Sequence, residues 1–544
     1  MAITDGIKDY LKKALAQEGA AGIKDGDIVL TIPPVKEHGD YSTNVALRFA
    51  KKLGQNPLAL AQKLAAGTEI PGVVRAEAVK PGFLNFFVSE EQMTDVIGRI
   101  VRDGALYGAP EHGNGLKIDI EYVSANPTGY LHLGHARGAA VGDSLARIMK
   151  KAGYEVTREY YINDAGNQID HMAASLMARY LQKLGDKTAQ VPEDGYHGQD
   201  IVDIAAALCS EVGDRYRNDA AAHLDFFKEY GTARLLAKIK NDLRRFRVEF
   251  DVFSSEKAIR KSGRIEQALQ ILQPKTYRKD GALFLRTTDD GDDKDRVIIK
   301  SDGSYTYFLP DIAYHWDKFA RGFDLLVDVF GADHAGYVAR LKSAVKSLGY
   351  DPDKLHFSMV QIVRLFKGGQ EFKMSKRSGN AIAMNDLISE VGVDAVRYFF
   401  VARAGNSHLD FDLDLAKSLS ATNPVYYAQY THARLSSLLE NGAAYYDGTY
   451  VPALLTDDRE TALLKVLKEY PQRIHEAAAT MEPYKIALYV QNLAAAVNEW
   501  YQHCRAVNES DMPLTKSRLA LAKAAQTVLG DALGLIGVSA PMHM

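Results

Sequence analysis

Two histidines three residues apart, in His132-Leu133-Gly134-His135, are the first residues here whose types and spacing could do chemistry. Residues three apart share one face of a helix, so a helix starting here carries both imidazoles on its first turn. That turn already offers free backbone N–H groups and the positive end of the dipole, a ready site for phosphate. The imidazoles add donors aimed at the same anion, and Gly134 leaves no side chain in the way of a flat base. Such a set suits ATP, whose phosphates must be held while charge builds on them. A second candidate is Lys373-Met374-Ser375-Lys376-Arg377-Ser378-Gly379-Asn380, preceded by Lys367-Gly368-Gly369. Flexible glycines on both sides suit a loop that closes over a substrate. Compact ammonium groups can follow a phosphate that grows more negative as pyrophosphate leaves. By itself this stretch reads equally well as a solvated basic loop.

Elements must position these groups. The run 116–123 (LKIDIEYV) predicts a strand, and Asn126-Pro127-Thr128-Gly129 a turn. A helix over about 131–152 and a strand over 155–162 follow. That is a βαβ unit, the start of a nucleotide-binding parallel sheet. Strand-like runs return at 323–330 and 357–363. The stretch of about 170–300 reads as an insertion, with a basic helix at 238–247 and a polar hairpin at 289–295; that helix is expected to be a solvated face. Upstream, helical periodicity mixes with strand-like runs at 28–32 and 82–88, and the Gly/Pro-rich 107–115 reads as a linker. From about 415 the chain turns helical. Asn423 is a good N-cap with Pro424 at the first position, and Ala/Leu-rich segments follow at 463–480, 484–506 and 515–534. The expected class is α/β: a Rossmann-like parallel-sheet catalytic domain (109–415), an α+β N-terminal domain (1–108) and an all-α C-terminal helix bundle (416–544).

Length and composition bound the rest. A chain of 544 residues exceeds one ordinary core. With 47% hydrophobic and 25% charged residues it has the make-up of a globular protein. No apolar run is long enough to span a bilayer. Ile7, Leu11, Ala14 and Leu15 give the first stretch the pattern of an amphipathic helix rather than a signal peptide. Two distant cysteines, Cys209 and Cys504, argue against a disulfide framework or a cysteine zinc site, so no protein-bound metal and a cytoplasmic location are expected. A net charge of −3 announces no nucleic-acid partner, yet a local basic track on such a body could still steer one.

Taken together, the histidine and lysine motifs resemble the two signatures of class I aminoacyl-tRNA synthetases. The chain resembles arginyl-tRNA synthetase almost end to end. The resemblance is carried by Gly39-Asp40-Tyr41-Ser42-Thr43-Asn44, Pro81-Gly82-Phe83-Leu84-Asn85, Glu121-Tyr122-Val123-Ser124-Ala125-Asn126-Pro127-Thr128-Gly129 and Asn163-Asp164-Ala165-Gly166-Asn167-Gln168. Further on it is carried by Tyr307-Phe308-Leu309-Pro310-Asp311-Ile312-Ala313-Tyr314, Gly331-Ala332-Asp333-His334 and the stretch 423–434, which opens Asn423-Pro424-Val425-Tyr426-Tyr427. The interval between the two signatures leaves no room for the large editing insertion of the valine, isoleucine and leucine enzymes.

The resemblance implies ATP-dependent ligation of L-arginine to tRNA(Arg) through arginyl-adenylate, with transfer to the terminal 2′-hydroxyl and release of AMP and pyrophosphate. It implies ATP with Mg2+ as the substrate complex, and a monomer with no membrane partner is expected. His132, His135, Lys373 and Lys376 would be catalytic. ATP would be held by these with Gly134, Ser375, Asp333 and His334, the signature segment running from Ala125 to His135. Arginine would be held by Glu121, Ser124, Asn126, Tyr307 and Asp311, because a planar cationic fork calls for carboxylates around it. Without the resemblance, Glu121 reads as an exposed strand-end carboxylate and Asp311 as a helix N-cap. Leu309-Pro310 stands where many members carry polar residues, leaving the path of that loop open. For tRNA, Asn85 beside Phe83 or Phe86 could bind an unstacked base. Tyr426, Tyr430 and Arg434 along the first bundle helix could do likewise, or could simply pack. The alternatives to the ligase are a synthetase-like tRNA-binding protein with reduced catalysis and a ligase adenylating small-molecule carboxylates.

Overall fold

Ile3, Ile7, Leu11 and Leu15 recur at helical spacing, and all four are buried along one side of the Ile3–Gln17 helix. The computed structural model describes residues 3–31, 33, 38–109, 113, 115–372 and 382–544. Lys373, Ser375 and Lys376 therefore lie outside the described residues. One unit comprises Met1–Gly104, Leu438–Lys468 and Ala496–Thr527; the other comprises Ala105–Ser437, Glu469–Ala495 and Val528–Met544. In the first, β1 (Tyr41–Thr43), β2 (Val73–Val79) and β3 (Phe83–Val88) form an antiparallel sheet in the order β1-β3-β2. Its core joins Leu84 and Phe86 to Ile7, Leu11, Leu60 and Leu64. Among the described residues the run 28–32 contributes one isolated bridge, Thr31 to Ser42, rather than a strand. Pro33 has no N–H with which to extend that ladder.

The second unit is built on β4 (Lys117–Glu121), β5 (Glu155–Ile162) and β6 (Val252–Ser255). After the antiparallel β7 (Thr276–Lys279), β8 (Ala282–Leu285) and β9 (Arg296–Ile299) come β10 (Leu325–Gly331) and β11 (Leu355–Val360). The main sheet has the order β11-β10-β4-β5-β6 with every pair parallel. Ile118 and Ile120 on β4 and Leu326 and Val327 on β10 are fully buried, as a sheet covered on both faces requires. β6 lies inside the stretch expected as an insertion, yet it pairs with β5 and forms the sheet's edge. Chain order runs one way from β4 to β6 and the other way to β10 and β11. The strand ends beside β4 and β10 are thus the switch point where an open α/β sheet leaves a crevice.

The Leu133–Lys151 helix crosses this sheet on a seam of small residues. A Cβ at Gly142 would sit 2.3 Å from Cγ of the buried Tyr122, so only glycine lets helix and strand approach. Beyond β11, β12 (Val363–Lys367) and β13 (Gln370–Glu371) form a hairpin, and β14 (Leu409–Asp412) pairs with β12. Gly368 and Gly369, expected as flexible hinges, are the two left-handed residues (φ 58° and 75°) of this tight turn. Asn423 caps Pro424–Asn441 as expected, its Oδ1 accepting from the Val425 N–H at 3.1 Å. The later helices span Asp458–Ala479, Tyr484–His503 and Met512–Leu535. No helix among the described residues is long and apolar enough to cross a membrane.

Candidate active site

At the switch point lies a cavity of about 940 Å³. It is walled by 123–126 after β4, by His132, Gly134, His135 and Gly138 on the helix, by Asn163 after β5, and by residues at the ends of β10 and β11. His132 occupies the helix N-cap: its Nδ1 accepts from the Gly134 N–H at 3.1 Å, while the His132 N–H donates to His135 Nδ1 at 3.3 Å. The two rings stack with centroids 3.6 Å apart. Both Nδ1 atoms act as acceptors, so in neutral rings the hydrogen sits on Nε2. Burial lowers the His132 pKa; burial and the neighbouring His132 hold His135 down at about 3. The pair therefore presents neutral N–H donors rather than cations. A Cβ at Gly134 would come within 3.0 Å of His132 Cε1, so this glycine makes room for the imidazole itself as well as for any ligand.

The turn after β4 is strained. Val123 (φ 70°) and Ser124 (φ 39°) are both left-handed, an outlier for a β-branched residue. Two bonds hold it: Ser124 Oγ donates to Glu121 Oε1 at 2.8 Å and accepts from the Tyr161 N–H at 3.1 Å. Glu121 is 8% exposed. Its Oε2 accepts from Lys318 Nζ at 2.6 Å, so it is no exposed strand-end carboxylate. Asn126 donates to Gln168 Oε1 on the rim of the cavity.

Asp311 sits inside the first turn of the Phe308–Ala320 helix, whose N-cap is Tyr307; it is not the cap. Leu309 and Pro310 are buried in that same turn, which fixes the path the sequence left open. Asp311 Oδ2 accepts from the Tyr337 hydroxyl at 2.6 Å, and its Oδ1 lies 3.2 Å from His315 Nδ1. Tyr307, the N-cap of that helix, is 69% exposed. Asp333 and His334, on the turn after β10, are exposed at the cavity rim.

Comparison with known proteins matches residues 97–436 to the family described as tRNA synthetases class I (R), catalytic domain. Residues 2–88 match the arginyl tRNA synthetase N terminal domain, and 428–544 match the DALR anticodon binding domain. The chain belongs to the arginyl-tRNA synthetase family. An arginine–tRNA ligase of Shouchella clausii is 49% identical over 525 residues, covering 95% of this chain and 94% of that one. One from Geobacillus kaustophilus is 48% identical over 552 residues, covering 100% and 99%. The arginyl-tRNA synthetase of Thermus thermophilus superposes with a TM-score of 0.79 at 23% identity, covering 99% of each chain, a likeness of fold.

Other sequence candidates divide. Leu131 O accepts from the Met384 N–H at 2.7 Å and His132 bridges Ala383, so the backbone just past the lysine segment is seated on the first signature. Tyr426 and Tyr430 stack at 5.8 Å on the Pro424–Asn441 helix, with the Arg434 guanidinium 4.8 Å from the Tyr430 ring. Phe86 has no face open to a base: it is fully buried in the N-terminal core, since the pleat turns alternate residues of β3 inward. Phe83, the other aromatic beside Asn85, is 39% exposed, while Asn85 is 3% exposed. The basic helix keeps Arg244, Arg245 and Arg247 exposed, as expected of a solvated face, although several of its cations also have partners within the protein. Lys238 pairs with Asp242, Lys240 lies over Phe253, and Arg247 bonds Asp394 and the Gly537 carbonyl.

Sequence reading missed four buried groups. Glu256 is 4% exposed, pairs with Arg260 at 2.6 Å, and faces Asn163 with its amide turned to donate at 2.8 Å. His315, Lys318 and Asp328 form a network behind Glu121. The signal available was Asp328 in an otherwise apolar central strand.

Proposed function

We propose that this chain ligates L-arginine to tRNA(Arg) in two steps. The arginine carboxylate attacks the α-phosphorus of ATP, which enters with Mg2+, and pyrophosphate leaves. The terminal ribose 2′-hydroxyl then attacks the arginyl carbonyl and AMP leaves. The carboxylate is ionised at neutral pH, so activation needs no general base; positioning and charge stabilisation are the enzyme's contribution. The observation that carries this reading is one cavity at the switch point, bounded by the His132/His135 donors and by the strained turn that Glu121 and Ser124 hold.

In this reading the two imidazoles donate from Nε2 to ATP phosphate oxygens, Gly134 and Gly138 keep that wall low, and Asp333 and His334 form the rim. Lys373, Ser375 and Lys376 bind the phosphates; support comes from Ala383 and Met384, further along the same segment, whose backbone pairs with His132 and Leu131. Glu121 and Asp311 take the guanidinium, Tyr307 covers it, and Ser124 and Asn126 hold the amino-acid end, with Glu256 a further carboxylate on that side. A site built to pair such a fork rejects ligands lacking it by ~10⁴ or more, because its acceptors are left unpaired. Residues 1–108, with Asn85 and the open face of Phe83, contact the outer part of the tRNA, 109–415 perform catalysis, and 416–544 take the anticodon, where Tyr426, Tyr430 and Arg434 offer stacking faces. The enzyme works as a cytoplasmic monomer.

The test is ATP–pyrophosphate exchange with a panel of amino acids, tRNA(Arg) present. Exchange stimulated by arginine is the expected result, and a clear preference for another amino acid would overturn the assignment.

A further inference from the structure

Three strands of the main sheet carry acids in direct register: Asp328 on β10 opposite Glu121 on β4 opposite Glu159 on β5. Asp119 lies two residues before Glu121 and so points to the same face. The Phe308–Ala320 helix, with Arg321 just beyond it, brings the cations. Lys318, 0% exposed, places Nζ 2.6 Å from Glu121 Oε2, 3.0 Å from Asp328 Oδ1 and 3.6 Å from Asp119 Oδ1. His315 has Nε2 2.8 Å from Asp328 Oδ2 and Nδ1 2.9 Å from the Asp311 carbonyl. Both its nitrogens face acceptors, so both must donate and the ring is an imidazolium. Arg321 pairs with Glu159 at 2.7 Å, and the Tyr314 hydroxyl donates to the other Glu159 oxygen at 2.8 Å.

A continuous chain of contacts thus joins the two carboxylates assigned to the guanidinium: Asp311, His315, Asp328, Lys318, Glu121, Ser124. Burial pushes Asp119 up to about 8, so it is mostly protonated at neutral pH. Burial works on Glu121 in the same direction, and the Lys318 ammonium is the main influence opposing it. The Glu256–Arg260 pair is separately neutral. Burying such a set is costly unless its charges are paired, and Lys318 supplies that pairing to Glu121 directly.

We propose that Lys318 is a positioning residue for the amino-acid pocket: its buried ammonium holds Glu121 in place as a carboxylate, and the carboxylate so held receives a cationic side chain. The substrate guanidinium pairs with that carboxylate; a neutral side chain of the same shape leaves it without a cation. This rests on the assignment of Glu121 to the arginine pocket. Lys318 itself touches no reacting atom, so its loss acts on arginine binding.

The test is the KM for arginine, ATP and tRNA in aminoacylation by the full chain, wild type against Lys318→Met, from pH 6 to 8.5. Without the ammonium, Glu121 faces Asp328, Tyr314 and Tyr161 with only His315 as a nearby cation, and its carboxyl takes up a proton. The arginine KM is expected to rise roughly tenfold to hundredfold at neutral pH, the value of one charge-assisted hydrogen bond. It should fall back as pH rises and Glu121 ionises, varying more steeply with pH than the wild-type value, while the ATP KM moves less than about twofold. A pH-independent arginine KM equal to wild type, or equal losses for arginine and ATP, overturns the inference. Lys318→Met/Asp328→Asn removes one charge of each sign and guards against misfolding. It too should bind arginine poorly, and a wild-type arginine KM in this variant sinks the proposal. A wild-type enzyme that charges arginine leaves the underlying reading standing when these variants fail; one that charges a different amino acid defeats both.

Discussion

Two glycines one turn apart on the Leu133–Lys151 helix should respond to alanine with opposite signs. Replacing a mid-helix glycine by alanine lowers the entropy lost on folding and is worth up to ~1 kcal/mol. At Gly138 a Cβ meets nothing within 4 Å, so Gly138→Ala should keep that gain. At Gly142 the Cβ would lie 2.3, 2.6 and 2.7 Å from Cγ, Cβ and Cδ2 of Tyr122. That ring cannot swing aside: it is 1% exposed and packs on Phe250 with centroids 4.5 Å apart. Overpacking of this kind costs ~1–3 kcal/mol and exceeds the propensity gain. Gly142→Ala should therefore be destabilised by about 1–2 kcal/mol, and Gly138→Ala stabilised by about 0.5–1 kcal/mol. Urea unfolding of both variants beside wild type measures this from the midpoints at constant slope. Because Gly138 borders the cavity, its alanine variant should also raise the KM for ATP although the protein is more stable. Midpoints moving the same way in both variants, or a Gly142→Ala protein as stable as wild type, would refute the packing argument.

Gly134→Ala crowds His132 Cε1 at 3.0 Å and should slow adenylate formation roughly tenfold to hundredfold, as for a displaced transition-state donor; an unchanged ATP–pyrophosphate exchange rate would contradict it. Arg137, fully buried, donates to the Gln361, Ala404 and Ser407 carbonyls at 2.8–3.1 Å, so Arg137→Met should cost about 3 kcal/mol in urea unfolding. A loss below about 0.5 kcal/mol would show that those carbonyls find other donors. His135 stays neutral in the fold to about pH 3, whereas unfolded histidine takes up a proton near 6.5. Its linkage therefore removes stability as pH falls from 6.5 toward 3 and has no effect above 6.5. Unfolding midpoints against pH should be less steep in that window for His135→Asn, and a steeper slope would refute the sign. His135→Ala should depress the activation rate far more than tRNA affinity measured by filter binding; equal losses would remove it from the phosphate site.

Much of the second unit is legible from local pattern. The strand 116–123, the 131–152 helix and the Asn423-Pro424 helix start rest on periodicity and capping, which act over a few residues, and they appear as Lys117–Glu121, Leu133–Lys151 and Pro424–Asn441. The run 28–32 and the glycines 368–369 misled because an apolar run or a glycine pair fits several structures until partners are known. β6 went unread as a sheet member because pairing with β5 joins segments ninety residues apart and has no local signal. Phe86 shows the same limit at a smaller scale: Phe83 and Phe86 are equally aromatic, and only the sheet decides which face is water.

The sequence by itself determined the motif chemistry: His132 and His135 on one helical turn and the basic residues at 373–377. These are properties of residue type and short spacing. Only the tertiary structure decided the protonation of the imidazoles, the strained turn at Val123–Ser124, and the burial of Glu121 against Lys318. Those depend on which groups lose water and which charges face them, and both are set by strands and helices distant in sequence.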